Sequence, residues 1–153
     1  MAANKPVAWG DMKTIVIERD LDAPRELVFA AWTDPTHIVH WFYASEGWTT
    51  PHARTDVRAG GAFNIGFAAP DGKGGFDFAG HYDEVDPPKS LVFTIGDGRP
   101  VVLTLTETGK NKTHLRLEFA METTNSEAQQ REGWTAMVMH LGEYLASAQP
   151  PAA

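Results

Sequence analysis

The residues with the clearest potential for chemistry are two histidines, His37 and His40, which lie three positions apart. Residues at that spacing are neighbours on a helix surface, so both rings would lie on one face of a short predicted helix. A zinc site needs a third ligand and a surrounding layer of hydrogen bonds that orients the ligands. No spacing connects His52, His81 or His114 to this pair. We therefore predict no metal site and expect two partly exposed histidines.

Acidic side chains form the second group that could do chemistry. Asp83, Glu84 and Asp86 cluster beside two prolines, a pattern typical of a solvated turn. General acid–base catalysis instead needs carboxylates in a cleft that shifts their pKa values. Glu46 lies in a loop between two tryptophans, so His40 and Glu46 are the first residues to test if the protein is an enzyme.

Nucleophilic catalysis has no support in the sequence. The chain has no cysteine, which excludes thiolate nucleophiles, disulfides and cysteine-based metal sites. It has no Gly-x-Ser-x-Gly motif, and no Ser/His/Asp triad can be argued from order or spacing. We therefore predict no catalytic residue, no cofactor and no metal, and we favour a protein that is not an enzyme.

The composition is that of one globular domain, with 153 residues of which 42% are hydrophobic and 22% charged. The formal net charge is −7 and the basic residues are scattered, which argues against nucleic acid, because binding requires basic side chains clustered on phosphates. The net negative charge and the scattered basic residues also argue against docking on anionic lipid. No signal peptide and no apolar run of bilayer length is visible, so we expect a cytoplasmic protein that does not bind a membrane.

The hydrophobic pattern predicts the elements that must position these side chains. Alternation over Thr14–Leu21 predicts a strand. Pro24 and Asp34 mark the starts of two short helices, as a first-turn proline and an N-cap. Alternating runs separated by turn residues then predict neighbouring antiparallel strands. These runs occupy residues 63–67, 76–82, 91–95, 101–105 and 115–119.

The spacing of the apolar residues in segment 126–147 predicts a long amphipathic helix that packs across the sheet. Ser126 and Gln129 have the spacing of a capping box. Gly133 and Gly142 each weaken a helix by about 1 kcal/mol relative to alanine. Burying an apolar side chain contributes roughly 1.5–3 kcal/mol, so packing of the apolar stripe outweighs the two glycines. That stripe consists of Trp134, Met137, Val138, Leu141, Tyr144 and Leu145. The predicted class is α+β, with the sheet covered by this helix.

With these elements in this order, the chain resembles a known superfamily, the START/Bet v 1-like (SRPBCC) helix-grip proteins. Within it, the chain is most similar to the branch named after the C-terminal domain of the activator of Hsp90 ATPase. The similarity covers roughly residues 13–145 and is clearest in the segment IVIERDLDAPRELVFAAWTDPTHIVHWF, residues 15–42. It continues in GGAF at residues 60–63, GHYDEVDPPKSLVFT at residues 80–94 and EGW at residues 132–134.

The resemblance implies a helix-grip fold, in which a bent antiparallel sheet wraps around a long C-terminal helix and two short helices follow the first strand. We expect one such domain at residues 13–147, with flexible termini at residues 1–12 and 148–153. Proteins of this fold commonly hold an apolar or amphipathic small molecule between sheet and helix.

The candidate ligand-binding residues follow from that implied cavity. Any single aromatic residue is more simply explained as core, because aromatic side chains dominate ordinary cores. As a group they match the apolar lining of a ligand pocket. Gln130 would place an amide near the cavity end of the helix, or else it is a solvated first-turn residue. The candidates are Trp41, Phe42, Trp48, Phe63, Phe78, Phe93, Gln130, Trp134, Met137 and Leu141.

The leading hypothesis is a module that binds a hydrophobic or aromatic small molecule without turning it over. Two alternatives stay open, an enzyme of the cyclase/aromatase or small-hydrolase type and a protein that interacts with an Hsp90-type chaperone. The sequence also leaves open whether the chain forms a homodimer.

Overall fold

The computed structural model describes residues 9–72, 74–96 and 98–148, and most of the predicted flexible termini lie outside them. One strand, two short helices, six further strands and a long helix follow one another. The strands are β1 Thr14–Leu21, β2 Thr49–Thr55, β3 Ala62–Ala68, β4 Gly75–Asp86, β5 Ser90–Ile95, β6 Pro100–Gly109 and β7 Lys112–Ala120. The helices are α1 Arg25–Thr33, α2 Pro35–Trp41 and α3 Glu127–Ala148. This α+β architecture confirms the predicted helix-grip fold.

The seven strands form one bent antiparallel sheet in the order β1-β7-β6-β5-β4-β3-β2. From β2 to β7, each strand pairs with the next one in the sequence. The first strand, β1, pairs with the last, β7, from Thr14 opposite Ala120 to Leu21 opposite Thr113. The sequence pattern did not reveal β2, because this edge strand has little apolar alternation and contains Pro51. A proline is tolerated on an edge, where a missing N–H leaves no partner unpaired.

The apolar side chains of the sheet's inner face and of α3 form the core. Leu103, Leu117 and Phe119 are fully buried on the central strands, as the alternation predicted. Val138 and Leu141 on α3 are equally inaccessible, so the second half of the helix packs directly on the sheet. The predicted stripe therefore faces the core.

Local hydrogen bonds set the helix starts. The Asp34 carboxylate caps α2 by accepting from the backbone N–H of Thr36 at 2.9 Å, which lowers the pKa of Asp34. Ser126 and Gln129 form the predicted capping box: the Gln129 N–H donates to the Ser126 hydroxyl, and the Ser126 N–H donates to the Gln129 amide oxygen. Both helices thus begin where the sequence placed their caps.

A charged cluster joins β1 to β7 on the outside of the sheet. The two ring nitrogens of His114 lie 2.7 Å from Asp20 and 3.0 Å from Glu18. A ring that donates to a carboxylate from both nitrogens is the imidazolium form. The hydrogen bond to Asp20, then that to Glu18, raises the pKa of His114 above its usual 6.5.

The His114 cluster makes stability depend on pH. Since the folded-state pKa is raised, its contribution is fully present below pH 6.5 and is lost as the pH rises through the folded-state value. We expect His114→Asn to lower the free energy of unfolding at pH 5.5, by less than about 1 kcal/mol for exposed ion pairs, and to have no effect at pH 9. Urea unfolding at both pH values measures this. His52→Asn is the matched control, because its ring lies 4.0 Å from one carboxylate, that of Asp77; an equal pH dependence in both variants would contradict the assignment.

Candidate functional site

A pocket of about 360 Å³ lies between the sheet and the first half of α3. We call it the main pocket. The loop after α2, the strands β3 and β4, the β5–β6 turn, the β7–α3 loop and α3 all contribute to its walls. The lining residues are Ala44, Ser45, Trp48, Phe67, Phe76, Phe78, Arg99, Glu122, Asn125, Gln129, Gln130, Gly133, Trp134 and Met137.

Aromatic rings form the apolar walls of the main pocket. Phe76 and Phe78 are two apart on β4 and therefore share the inner face of the sheet. Phe67 lies opposite Phe76 in the β3–β4 register, and their ring centroids are 4.9 Å apart. Trp134 stacks on Phe119 at 4.8 Å and contacts Phe78 edge-on at 6.1 Å. Phe76 is 58% exposed and so lies at the mouth.

Gly133 faces open space on the helix side. A Cβ added there would have no heavy atom within 4 Å beyond its chain neighbours and its own helix backbone. A Cβ at Gly142, two turns later, would meet Leu21 at 3.6 Å and Arg19 at 3.8 Å. The helix therefore stands away from the sheet at Gly133 and approaches β1 at Gly142.

Gln130 holds the β7–α3 loop that closes one end of the main pocket. Its amide oxygen accepts from the backbone N–H of Glu122 at 2.9 Å. Its amide nitrogen donates to the carbonyl oxygens of Glu122 at 3.1 Å and Asn125 at 2.8 Å. Both amide hydrogens are thereby used. The side chain is buried rather than solvated, and its first role is to fold this loop.

Charged side chains lie at this end as well. Arg99 donates to the carbonyl oxygen of Ala120 at 3.3 Å, which places the guanidinium beside the end of β7. The Glu122 carboxylate accepts from the backbone N–H of Asn125. A ligand in the main pocket would thus meet aromatic walls along its length and polar groups at one end.

A second, smaller space of about 20 Å³ lies among buried aromatic and aliphatic side chains, and we call it the inner cavity. Burial raises the pKa of the Tyr82 phenol in its wall to about 12. Phe78 lines both spaces and separates them. The lining residues are Trp32, Phe42, Phe63, Ile65, Phe78, Tyr82, Leu91 and Phe93.

The predicted ligand-binding residues are distributed among the main pocket, the inner cavity and the rest of the core. Trp48, Phe78, Gln130, Trp134 and Met137 line the main pocket. The others lie in the core, with exposures of 0–5%: Phe42, Phe63 and Phe93 border the inner cavity, and Trp41 and Leu141 line neither space.

Sequence reasoning missed several lining residues. The period-two alternation of β3 and β4 already placed Phe67 and Phe76 on the face of Phe78, and this signal could have identified them. Arg99, Glu122 and Asn125 come from two loops that only tertiary folding brings together. The remaining missed residues are Ala44, Ser45, Gln129 and Gly133.

The histidines of α2 lie away from the main pocket. The Nδ1 atom of His37 and the hydroxyl of Tyr144 share a hydrogen bond of 2.6 Å, and the His40 ring stacks on Tyr144. Burial, and then the charge of Asp34, raise the pKa of Tyr144. These contacts attach α2 to α3.

The acidic candidates are also dispersed. Glu46 is exposed and lines a separate polar cleft of about 430 Å³, together with His140 and Glu143. Asp83 lies within β4 rather than in a turn and accepts from the Thr94 hydroxyl at 2.6 Å. Across residues 9–72, 74–96 and 98–148, no group of three or more His, Asp or Glu side chains is arranged to hold a metal ion. In the same residues no helix has the length and apolarity needed to cross a membrane.

Comparison with known proteins gives consistent matches over most of the chain. The model of the family described as Activator of Hsp90 ATPase homolog 1-like protein matches residues 22–146. The solution structure of the AHSA1-like protein from Aeromonas hydrophila is 36% identical, with a TM-score of 0.82 and coverage of 89% of this chain and 94% of that one. The search of curated proteins gave no match.

Two further solved structures extend this similarity. Chr148 from Cytophaga hutchinsonii is 36% identical, with a TM-score of 0.74 and coverage of 92% of this chain and 99% of its own. CalU16 from Micromonospora echinospora is 28% identical, with a TM-score of 0.64 and coverage of 93% and 82% respectively.

Replacing Gln130 tests its role in the loop. Gln130→Leu would leave one N–H and two carbonyl groups of Glu122 and Asn125 without their partner. We expect a loss of about 2 kcal/mol in the free energy of unfolding and faster amide exchange at Glu122. The control is Gln129→Leu, which removes the exposed capping-box bonds to Ser126 but no bond to Glu122, and should cost about 1 kcal/mol without changing exchange at Glu122. Wild-type exchange at Glu122 in Gln130→Leu would contradict the assignment.

Proposed function

The chain belongs to the family of Activator of Hsp90 ATPase homolog 1-like proteins and has their helix-grip fold, and from this premise we propose that it binds a hydrophobic or aromatic small molecule in the main pocket. We take residues 13–147 as the domain that carries this function. The observation that supports the proposal most directly is the pocket itself. Its volume of about 360 Å³ falls in the range of small-molecule sites, roughly 300–1,000 Å³.

The chemistry of the walls favours a flat, apolar ligand. Aromatic rings pack on other rings in offset or edge-on arrangements, at centroid distances of about 4.5–7 Å. Phe67, Phe78 and Trp134 surround the space with their faces and edges, so a fused-ring molecule can contact several of them at once. Burial of its apolar surface would contribute roughly 25 cal/mol per Å² before the costs of association.

The described lining residues favour binding over turnover. They include no histidine, Ser45 contributes their single hydroxyl group, and their one carboxylate, that of Glu122, already accepts from the backbone N–H of Asn125. A nucleophile needs a base within hydrogen-bond reach, which makes a covalent mechanism hard to build from these groups.

Filling the pocket from Gly133 tests the proposal. In Gly133→Leu the new side chain extends into open space, so the fold is preserved and helix propensity rises. The neutral dye N-phenyl-1-naphthylamine should bind the wild-type protein with enhanced fluorescence and bind Gly133→Leu at least tenfold more weakly. Fluorescence titration measures both affinities.

Gly142→Ala is the matched control on the same helix. This substitution also raises helix propensity, but the new Cβ contacts Leu21 and Arg19 of β1 and does not enter the main pocket. We expect both variants to have a raised melting temperature, and only Gly133→Leu to lose the dye. Equal dye affinity in all three proteins, or no dye binding by the wild type, would contradict the proposed function.

A further inference from the structure

The Nε1–H group of Trp32 is a buried donor with no acceptor among the residues that the structure describes. Trp32 is only 5% exposed and lines the inner cavity. A buried polar group without a partner typically costs about 1–3 kcal/mol, so such groups are rare and call for an explanation.

Trp41 shows how the same kind of donor is normally satisfied in this fold. The two indole rings contact each other edge-on at 4.8 Å in the same aromatic cluster. The Nε1–H group of Trp41 donates to the carbonyl oxygen of Ala31 at 2.9 Å. The cluster therefore offers a backbone acceptor to one tryptophan and leaves the other without one.

We propose that the Trp32 indole N–H is the recognition donor for a neutral hydrogen-bond acceptor, such as a carbonyl oxygen, at the buried end of the ligand. This inference rests on the proposed function and adds the chemical class of the ligand. The occupant is an aromatic molecule with its ring system in the main pocket and its acceptor group in the inner cavity.

The walls of the inner cavity select the type of group. An indole N–H donates and cannot accept, so its partner must be an acceptor. The described residues that line the inner cavity carry no charged side chain, and an anion there would lose its hydration without an ion pair. The Tyr82 phenol, whose pKa burial raises to about 12, is neutral as well. A neutral oxygen fits these conditions, whereas a carboxylate does not.

The size of the inner cavity and the position of Phe78 fit this arrangement. A volume of about 20 Å³ holds one water-sized group, and therefore an oxygen substituent rather than a second ring. Phe78 forms the wall between the two spaces and is only partly buried. This arrangement therefore requires the Phe78 ring to turn aside when the acceptor group passes from the main pocket to the Trp32 donor.

A matched pair of probes tests the inference. 2-Acetylnaphthalene and 2-ethylnaphthalene share the naphthalene ring and a two-carbon substituent, but only the first has a carbonyl oxygen. We expect Trp32→Phe to reduce the affinity for the ketone relative to the hydrocarbon by roughly fivefold, the effect of one hydrogen bond. Trp41→Phe is the control and should leave that ratio unchanged, because its donor is already bound to Ala31.

A second measurement uses the wild-type protein and does not depend on how well the variants fold. In ¹⁵N–¹H spectra, with the Trp32 indole signal assigned from triple-resonance and nuclear Overhauser spectra of the wild type, the indole N–H of Trp32 should shift downfield with 2-acetylnaphthalene and not with 2-ethylnaphthalene. Equal shifts, or a Trp32 N–H that contacts water in the presence of bound ketone, would overturn the inference while leaving the proposed function intact. Failure of 2-ethylnaphthalene to bind the wild type would overturn both.

Discussion

The inner face of the sheet is apolar and must be covered, and α3 covers it together with the two short helices. The second half of the helix packs closely, with Val138 and Leu141 fully buried. The first half covers the same face from a greater distance, and Gly133 has open space where a side chain would lie. The main pocket lies where the first half of α3 stands farther from the sheet than the second half does. The same packing that stabilises the fold therefore also creates the space for a ligand.

Polar groups at the helix start keep that space open. Ser126 and Gln129 cap α3, and Gln130 uses its amide to hold the preceding loop. These hydrogen bonds fix the loop at one end of the pocket. Arg99 and Glu122 reach the same end from different loops, which concentrates the polarity of the site at one place.

The two contacting tryptophans, Trp32 and Trp41, differ in whether their indole N–H groups have an acceptor. Trp41 is fully buried and donates to Ala31, which fastens α2 to α1. Trp32 packs against it and lines the inner cavity, and its donor has no acceptor among the described residues. Proteins usually satisfy such groups, and exceptions concentrate where a ligand or water completes the structure.

The sequence alone determined the elements and their order. The alternation in β3 to β7, the cap at Asp34, the capping box at Ser126 and the apolar stripe of α3 are all local patterns, and each was found where predicted. The edge strand β2 escaped because its polar residues and Pro51 carry no such pattern. Only the tertiary structure decided which aromatic residues fill the core and which line the pocket. Trp41 and Trp134 look alike in the sequence, yet Trp41 is fully buried and Trp134 is only partly buried in the wall of the main pocket. That difference depends on where each helix lies on the bent sheet, which is set by contacts between residues far apart in the chain.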